Sequence, residues 1–271
     1  QLGFSFKDQG SNIVLNLFYG TSINAARGIA MQVSGLVSTF SSNFSMALFP
    51  QITKQYASGN MESCLDLVYS GARYTFYLLA LISIPFLINV DYVLKLWLGN
   101  VPEYTSMFLM ISMVVSILYT VTGTVTTALQ ATGEIKWFQI GICVIMLSEL
   151  PIGYVLLLYD YPPYYALYPG ILTGILAIFF RIYLLKKYIP ECNLSHYLFE
   201  VFFRSMTIGA ISWVVCDYVH SLFPDTFLTV IITSLISIVI LLVLVFSFGL
   251  SSVERSMVKR KLEQVIHRIY K

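Results

Sequence analysis

A chain of 271 residues that is 57% apolar and only 11% charged, with a mean hydropathy of +0.77, has the composition of a polytopic membrane protein, not of a soluble globular domain. Several runs reach the ~20 apolar residues that cross a bilayer, and none shows the alternation of barrel strands, so the expected fold class is an all-α polytopic membrane protein. The net charge is +2 and the four cysteines, Cys64, Cys143, Cys192 and Cys216, lack metal-ligand or redox spacing; no nucleic acid, disulfide, metal or cofactor is expected.

The chain opens at Gln1 on residues that already read as part of a span, with no cleavable signal segment, so a missing upstream segment is expected. Residues 4–20 read as a first span, polar at its start, where Lys7, Asp8 and Gln9 stand together and Asn12 and Asn16 lie one turn apart on one side. Residues 21–27 read as a short loop carrying Asn24 and Arg27, and a helix over about 28–50 follows, ended by Pro50. At about 100° per residue, Ile29, Val33, Leu36, Phe40 and Leu48 fall on one arc of that helix and Gln32, Ser38, Thr39, Ser42 and Asn43 on the other. So polar a helix of bilayer length lines something wet or packs tightly on a neighbour, and it is expected inside the bundle. Its serines and glycines read first as packing material, whereas Gln32, Thr39 and Asn43 are candidates to line a pathway.

Residues 51–72 read as a polar connection with a short surface helix opened by Gly59 and Asn60. A third span, about 73–90, contains Pro85, which predicts a kink, and 91–104 reads as an interfacial loop with Tyr92, Trp97 and Tyr104 at headgroup depth. The fourth span, about 105–131, carries Ser112, Ser116, Thr120, Gly123 and Thr127 on one stripe. The fifth, about 137–158, holds Glu149 and Pro151, and the sixth, about 163–185, ends at Arg181, Lys186 and Lys187. Two plainer spans, about 198–220 and 226–249, follow; the last is almost wholly apolar and is expected at the edge of the bundle. Residues 251–271 form an amphipathic, basic tail, with Val253, Met257, Leu262, Val265, Ile266 and Ile269 set against Arg255, Lys259, Arg260, Lys261 and Arg268.

Lysine and arginine settle the expected orientation. Lys54, Arg73, Lys136, Lys186, Lys187, Arg204 and the tail fall in one set of connections and little beyond Arg27 and Lys95 in the other, so the first set is cytoplasmic. About eight spans then place both chain ends inside.

Three charged residues stand at membrane depth. Lys7 is a candidate cavity cation or an ion-pair partner of Asp8; Arg27 either pairs with phosphate oxygens or snorkels to headgroups. Glu149 shares a face with Ile142, Ile145, Ile152 and Leu156, and is either a proton-coupling site or a donor to the Leu147 carbonyl that Pro151 leaves free.

The runs NAARGIAMQV, FPQITKQYASGN, LKLWLGNVPEYT, ALQATGEIK and RIYLLKK, in that order over roughly residues 1–190, resemble the polysaccharide transporter branch of the multidrug/oligosaccharidyl-lipid/polysaccharide exporter superfamily, the branch of O-antigen and capsule flippases. The resemblance implies that 1–189 corresponds to the second six-helix lobe of such a transporter, 190–250 to two additional transmembrane helices and 251–271 to a cytoplasmic tail. It implies movement of an undecaprenyl-pyrophosphate-linked oligosaccharide to the outer leaflet of a bacterial inner membrane by alternating access, with no bond broken and no catalytic residue. The implied partners are that lipid-linked oligosaccharide, membrane lipids and a missing N-terminal lobe. Lys7, Asn16, Asn24, Arg27, Gln32, Thr39 and Asn43 are the candidate substrate pathway. Two alternatives stay open. A multidrug efflux antiporter of the same superfamily predicts acids in the pathway, where Glu149 is the only mid-span acid; a membrane glycosyl- or acyltransferase predicts clustered acids and histidines, where His196, His220 and His267 are isolated.

Overall fold

The structure is a computed structural model that describes residues 2–224 and 226–269. Among the described residues every regular element is helical. Gly20, at φ 77°, turns the chain in a single residue between α1 (Leu2–Tyr19) and α2 (Thr21–Ala57). The loop expected over 21–27 is therefore the first two turns of α2, where Ala25 and Ala26 are strong helix formers. Pro50 does not end the helix either. It removes one backbone donor, which a long helix in an apolar setting tolerates, and α2 continues to Ala57.

The side chain of Asn60 accepts the backbone N–H of Ser63 and starts α3 (Met61–Ile88), a single helix that runs through Pro85. No separate surface helix exists at 61–72. The segment read as a surface helix belongs to the bundle: Cys64, Leu65, Val68 and Ala72 are buried, and Thr124 Oγ1 donates to the Val68 carbonyl at 2.8 Å. Residues 91–104 are not wholly loop, because α4 (Val90–Leu98) buries Val90 and Leu94 and leaves Trp97 exposed.

The expected span over 105–131 is broken. α5 (Thr105–Thr120) and α6 (Gly123–Ala131) meet at 40° across Val121 and Thr122. In an unbroken helix the Val121 carbonyl accepts from the residue four places on; here it accepts the Tyr197 hydroxyl at 2.6 Å. α7 (Ile135–Leu147) and α8 (Glu149–Leu158) follow, joined at Ser148, then a 3-10 turn (Pro163–Leu167) and α9 (Pro169–Tyr188). α10 (Leu194–His196), a π-helical stretch (Tyr197–Phe203) and α11 (Arg204–Ser221) make one rod; α12 (Phe227–Leu244) ends in a second π-helical stretch (Val245–Gly249), and α13 (Ser252–Ile269) closes the described chain.

Five of these rods are long and apolar enough to cross a membrane, or six if the bent α5–α6 pair is one span, which marks a multi-pass membrane protein. The difference from about eight lies in α1 and α2, whose Lys7, Asp8, asparagines and serines dilute the hydropathy. The centre of the bundle is α3, where 67% of the apolar window is buried against 22% in Phe227–Gly249, so the last apolar helix is at the edge as its uniform pattern implies. Packing is close at the small residues. A Cβ on Gly71 would meet Leu48 at 2.6 Å and Thr124 at 2.8 Å, which lets α2, α3 and α6 approach one another.

Arg73 and Arg181, taken from the sequence as loop or span-end cations, are both buried inside the bundle. Arg73 Nη2 donates to Glu254 Oε1 at 2.6 Å, so the first turn of α13 docks on α3 near the middle of that helix. Val253 and Met257 of the tail are exposed; the side chains of Lys261, Leu262, Val265, Ile266, His267, Arg268 and Ile269 lie outside the described residues.

Candidate functional site

Four elements bring charge together below Gly20. α1 supplies Lys7 and Asp8, α2 supplies Arg27, and α8 starts at Glu149 beside Thr173 of α9. Lys7 Nζ lies 3.3 Å from Glu149 Oε2 and 3.9 Å from Asp8 Oδ1. Arg27 Nη1 donates to Asn12 Oδ1 and, at 3.2 Å, to the Asp8 carbonyl, while Nη2 is 3.7 Å from Asp8 Oδ1. Thr173 Oγ1 donates to Glu149 Oε1 at 2.7 Å. Charges at this depth persist only when paired and hydrogen-bonded, and two bases facing two acids meet that condition.

The cluster opens onto a groove. A cavity of about 380 Å³ is lined by Lys7, Asp8, Arg27, Ser34, Ser38 and Glu149, among others. A second, of about 430 Å³, lies farther along α2 and is lined mainly by hydroxyl-bearing residues, among them Ser41, Ser45, Thr75, Thr120 and Thr127. Ser38, Ser116 and Tyr119 line both, so the two form a path that is charged at one end and hydroxyl-rich at the other. Most of these hydroxyls give their hydrogen to the preceding turn, as Ser41 does to Ser38 O at 3.0 Å and Thr120 to Ser116 O at 2.8 Å.

The structure unites three of the predicted residues and separates the rest. Lys7, Arg27 and Glu149 share one cluster. Arg27 is not in a loop and does not reach out of the bundle; it is 2% exposed in the second turn of α2, held by Asp8 and Asn12. Lys7 pairs more closely with Glu149 than with Asp8 because α1 runs alongside α8. Glu149 does not donate to Leu147, since its oxygens are occupied by Thr173 and Lys7. Asn24 is half-buried with Oδ1 unmatched, and Asn16 is exposed.

Gln32, Thr39 and Asn43 are exposed on the surface of α2, and the Thr39 hydroxyl returns to Gly35 O at 2.8 Å. The expectation that they face inward is therefore corrected. α2 turns Ile23, Ala26, Arg27, Val33 and Val37 into the bundle, because valines pack against α1 and α5 as well as they would against lipid. Its serine edge, read as packing material, is what lines the path. Sequence reasoning passed over Asn12, Thr173, Tyr119 and Arg181. Tyr119 follows Ser112 and Ser116 at helical spacing, and Asn12 stands one turn from Asn16, but neither signal named a site.

No protein-family model, curated protein or solved structure matches this chain.

Proposed function

We propose that this chain is the helical part of a membrane transporter whose path carries an amphiphile with an anionic head, and that the cargo is an undecaprenyl-pyrophosphate-linked oligosaccharide moved to the outer leaflet by alternating access. The observation that carries this reading is Arg27, a buried guanidinium on a groove that continues into a hydroxyl-lined cavity. A diphosphate needs charge-assisted donors once it leaves water, and sugars need hydroxyl and amide partners. Lys7 and Arg27 are held by Asp8 and Glu149 at 3.3–3.9 Å, so neither cation is bare while the path is empty, and an arriving phosphate must compete with those carboxylates for them.

In this reading α1 and α2 also cross the bacterial inner membrane, bringing the spans to eight, and the exposed Gln32, Thr39 and Asn43 face a second lobe across the path. The tail lies on the cytoplasmic side, by the lysine and arginine bias. Since no step breaks a bond, no catalytic group is needed.

The test is surface glycan in cells whose complete transporter carries Arg27→Glu, Arg27→Gln or Arg27→Lys. Loss with Glu, a reduction of about tenfold with Gln and a milder effect with Lys is the expected order. Normal glycan from a well-expressed Arg27→Glu variant overturns the reading.

Asp8 and Glu149 line the same groove, which favours a second reading, efflux of a cation by the same architecture. There Glu149→Gln abolishes transport and Arg27→Gln does not.

A further inference from the structure

Among the described residues the bundle buries three arginines, and two of them pair with a carboxylate. Arg27 faces Asp8 and Arg73 faces Glu254. Arg181 of α9, 6% exposed, pairs with no carboxylate among the described residues. Its Nη1 donates to Thr122 Oγ1 at 2.9 Å, its guanidinium carbon lies 5.4 Å from the centre of the Tyr119 ring, and its Nε has no acceptor. A cation–π contact and one neutral hydroxyl are weak compensation for a desolvated cation.

The position matters more than the cost. Tyr119 lines both cavities of the path, and Arg181 stacks on that ring. Tyr119 is also in the last turn of α5, two residues before the break across Val121 and Thr122, so the backbone that carries it is not braced by an unbroken helix. The unused Nε and the Nη groups form the planar fork that matches two oxygens of one oxyanion.

We propose that Arg181 is a second anion-binding group of the path, for a phosphate or similar oxyanion of the cargo, and that Tyr119 is the side chain that covers it. This rests on the reading of the path as an anion route. Rotation of Tyr119 opens the hydroxyl-lined cavity to the guanidinium, and the entering oxyanion takes the place of Thr122 Oγ1 and satisfies Nε. An anion leaving Lys7 and Arg27 then has a cation to meet midway. The competing account, that Arg181 only ties α9 to the break in α5–α6, leaves the missing carboxylate and the aromatic cover unexplained; the unmatched Nε is shared with Arg27 and Arg73 and does not separate the two accounts.

The experiment is binding of inorganic pyrophosphate, by calorimetry, to the full chain in phosphatidylcholine nanodiscs. Tyr119→Ala uncovers Arg181 and should tighten binding by about tenfold, as one added charge-assisted fork does. Adding Arg181→Gln should cancel that gain, and Arg181→Lys, which keeps the charge without the fork, should retain part of it. Tyr119→Phe keeps the cover and should bind as the unaltered chain does. A Tyr119→Ala variant with unchanged affinity, or a gain that survives Arg181→Gln, overturns the proposal. If the double variant does not stay monodisperse, Arg181→Lys decides: an undiminished gain overturns the fork. Arg27→Gln separates this inference from the reading it rests on. A loss with Arg27→Gln but no gain with Tyr119→Ala sinks the Arg181 site alone; an Arg181-dependent gain with no Arg27 effect sinks the anion route at Lys7 and Arg27 and leaves the Arg181 site standing.

Discussion

Arg27 and Arg73 are arginines of adjacent long helices, 2% and 7% exposed, and they are held in opposite ways. Arg73 Nη2 sits 2.6 Å from Glu254 Oε1, the other oxygen of that carboxylate accepts the Ser251 N–H at 2.6 Å, and the Ser251 hydroxyl accepts the Glu254 N–H at 3.3 Å. This is a capping box closed by a salt bridge, and it fastens the tail helix to α3. Arg27 has its carboxylate at 3.7 Å, shares Asp8 with Lys7, and borders a groove. A short pair whose carboxylate is also tied into a helix cap is a fastening. A longer, shared pair beside open space can change partners, and that distinction separates structural from functional buried charge here.

The largest effect that tests the distinction is reversal inside the shared cluster. Lys7→Glu places a third carboxylate beside Asp8 and Glu149 and should destabilise the chain by roughly 3–5 kcal/mol, read as a fall in thermal midpoint in detergent. The swap Lys7→Glu with Glu149→Lys should recover most of that stability yet leave glycan export impaired, because the cation has moved. Full recovery of export would make Lys7–Glu149 a fastening too.

Next in size is Arg73→Met, which strands the Glu254 carboxylate. About 3 kcal/mol of stability should be lost while export per folded molecule stays unchanged, the reverse of Arg27→Gln. Export falling with Arg73→Met at constant folded protein would erase the contrast.

Acid gives a milder version. Burial pushes the Glu254 carboxyl up, but the hydrogen bonds from Tyr74 and from Ser251 and the Arg73 charge outweigh it and hold the group below its ordinary 4.5. A group depressed on folding contributes stability that is fully present above its unfolded value and is lost as pH falls through the folded one. The tail should therefore stay docked above about pH 4.5 and come loose below it. A fluorophore on Val253→Cys should report this as a mobility transition, and Arg73→Met should remove most of it.

The all-helical, multi-pass character was legible in the sequence, because runs of apolar residues are local facts. Lys7, Arg27 and Glu149 stood out for the same reason: ionised side chains at lipid depth are rare enough to mark themselves. What joins them is not local. Lys7 meets Glu149 only because α1 runs beside α8, and no spacing encodes that. The break in α5–α6 has no proline, and its freed carbonyl finds Tyr197 from far along the chain, so it too is visible only in three dimensions. The wheel for α2 could not say which residues faced inward: the buried face joins Val33 and Val37 to Ser34 and Ser41, whereas Leu36 and Phe40 of the apolar arc are exposed along with Gln32 and Asn43.

The smallest effect concerns that misjudged arc. Gln32, Thr39 and Asn43 are exposed, and substitution to Leu removes no contact that holds the bundle, so each should change the stability of this chain by no more than about 0.5 kcal/mol. The Thr39 hydroxyl is already spent on the Gly35 carbonyl, which makes Thr39→Leu the mildest of the three. An amide turned to hydrocarbon, by contrast, is disfavoured without a partner, so a chain that keeps two of them on one helix face has something polar to set against them when it works. If that is a second lobe or the sugars of the cargo, Gln32→Leu with Asn43→Leu should lower glycan export several-fold in a complete transporter at an unchanged thermal midpoint of this chain. Unchanged export would mean the arc meets lipid headgroups or nothing, and the path would then be confined to the serine edge of α2 and the charged cluster beneath it.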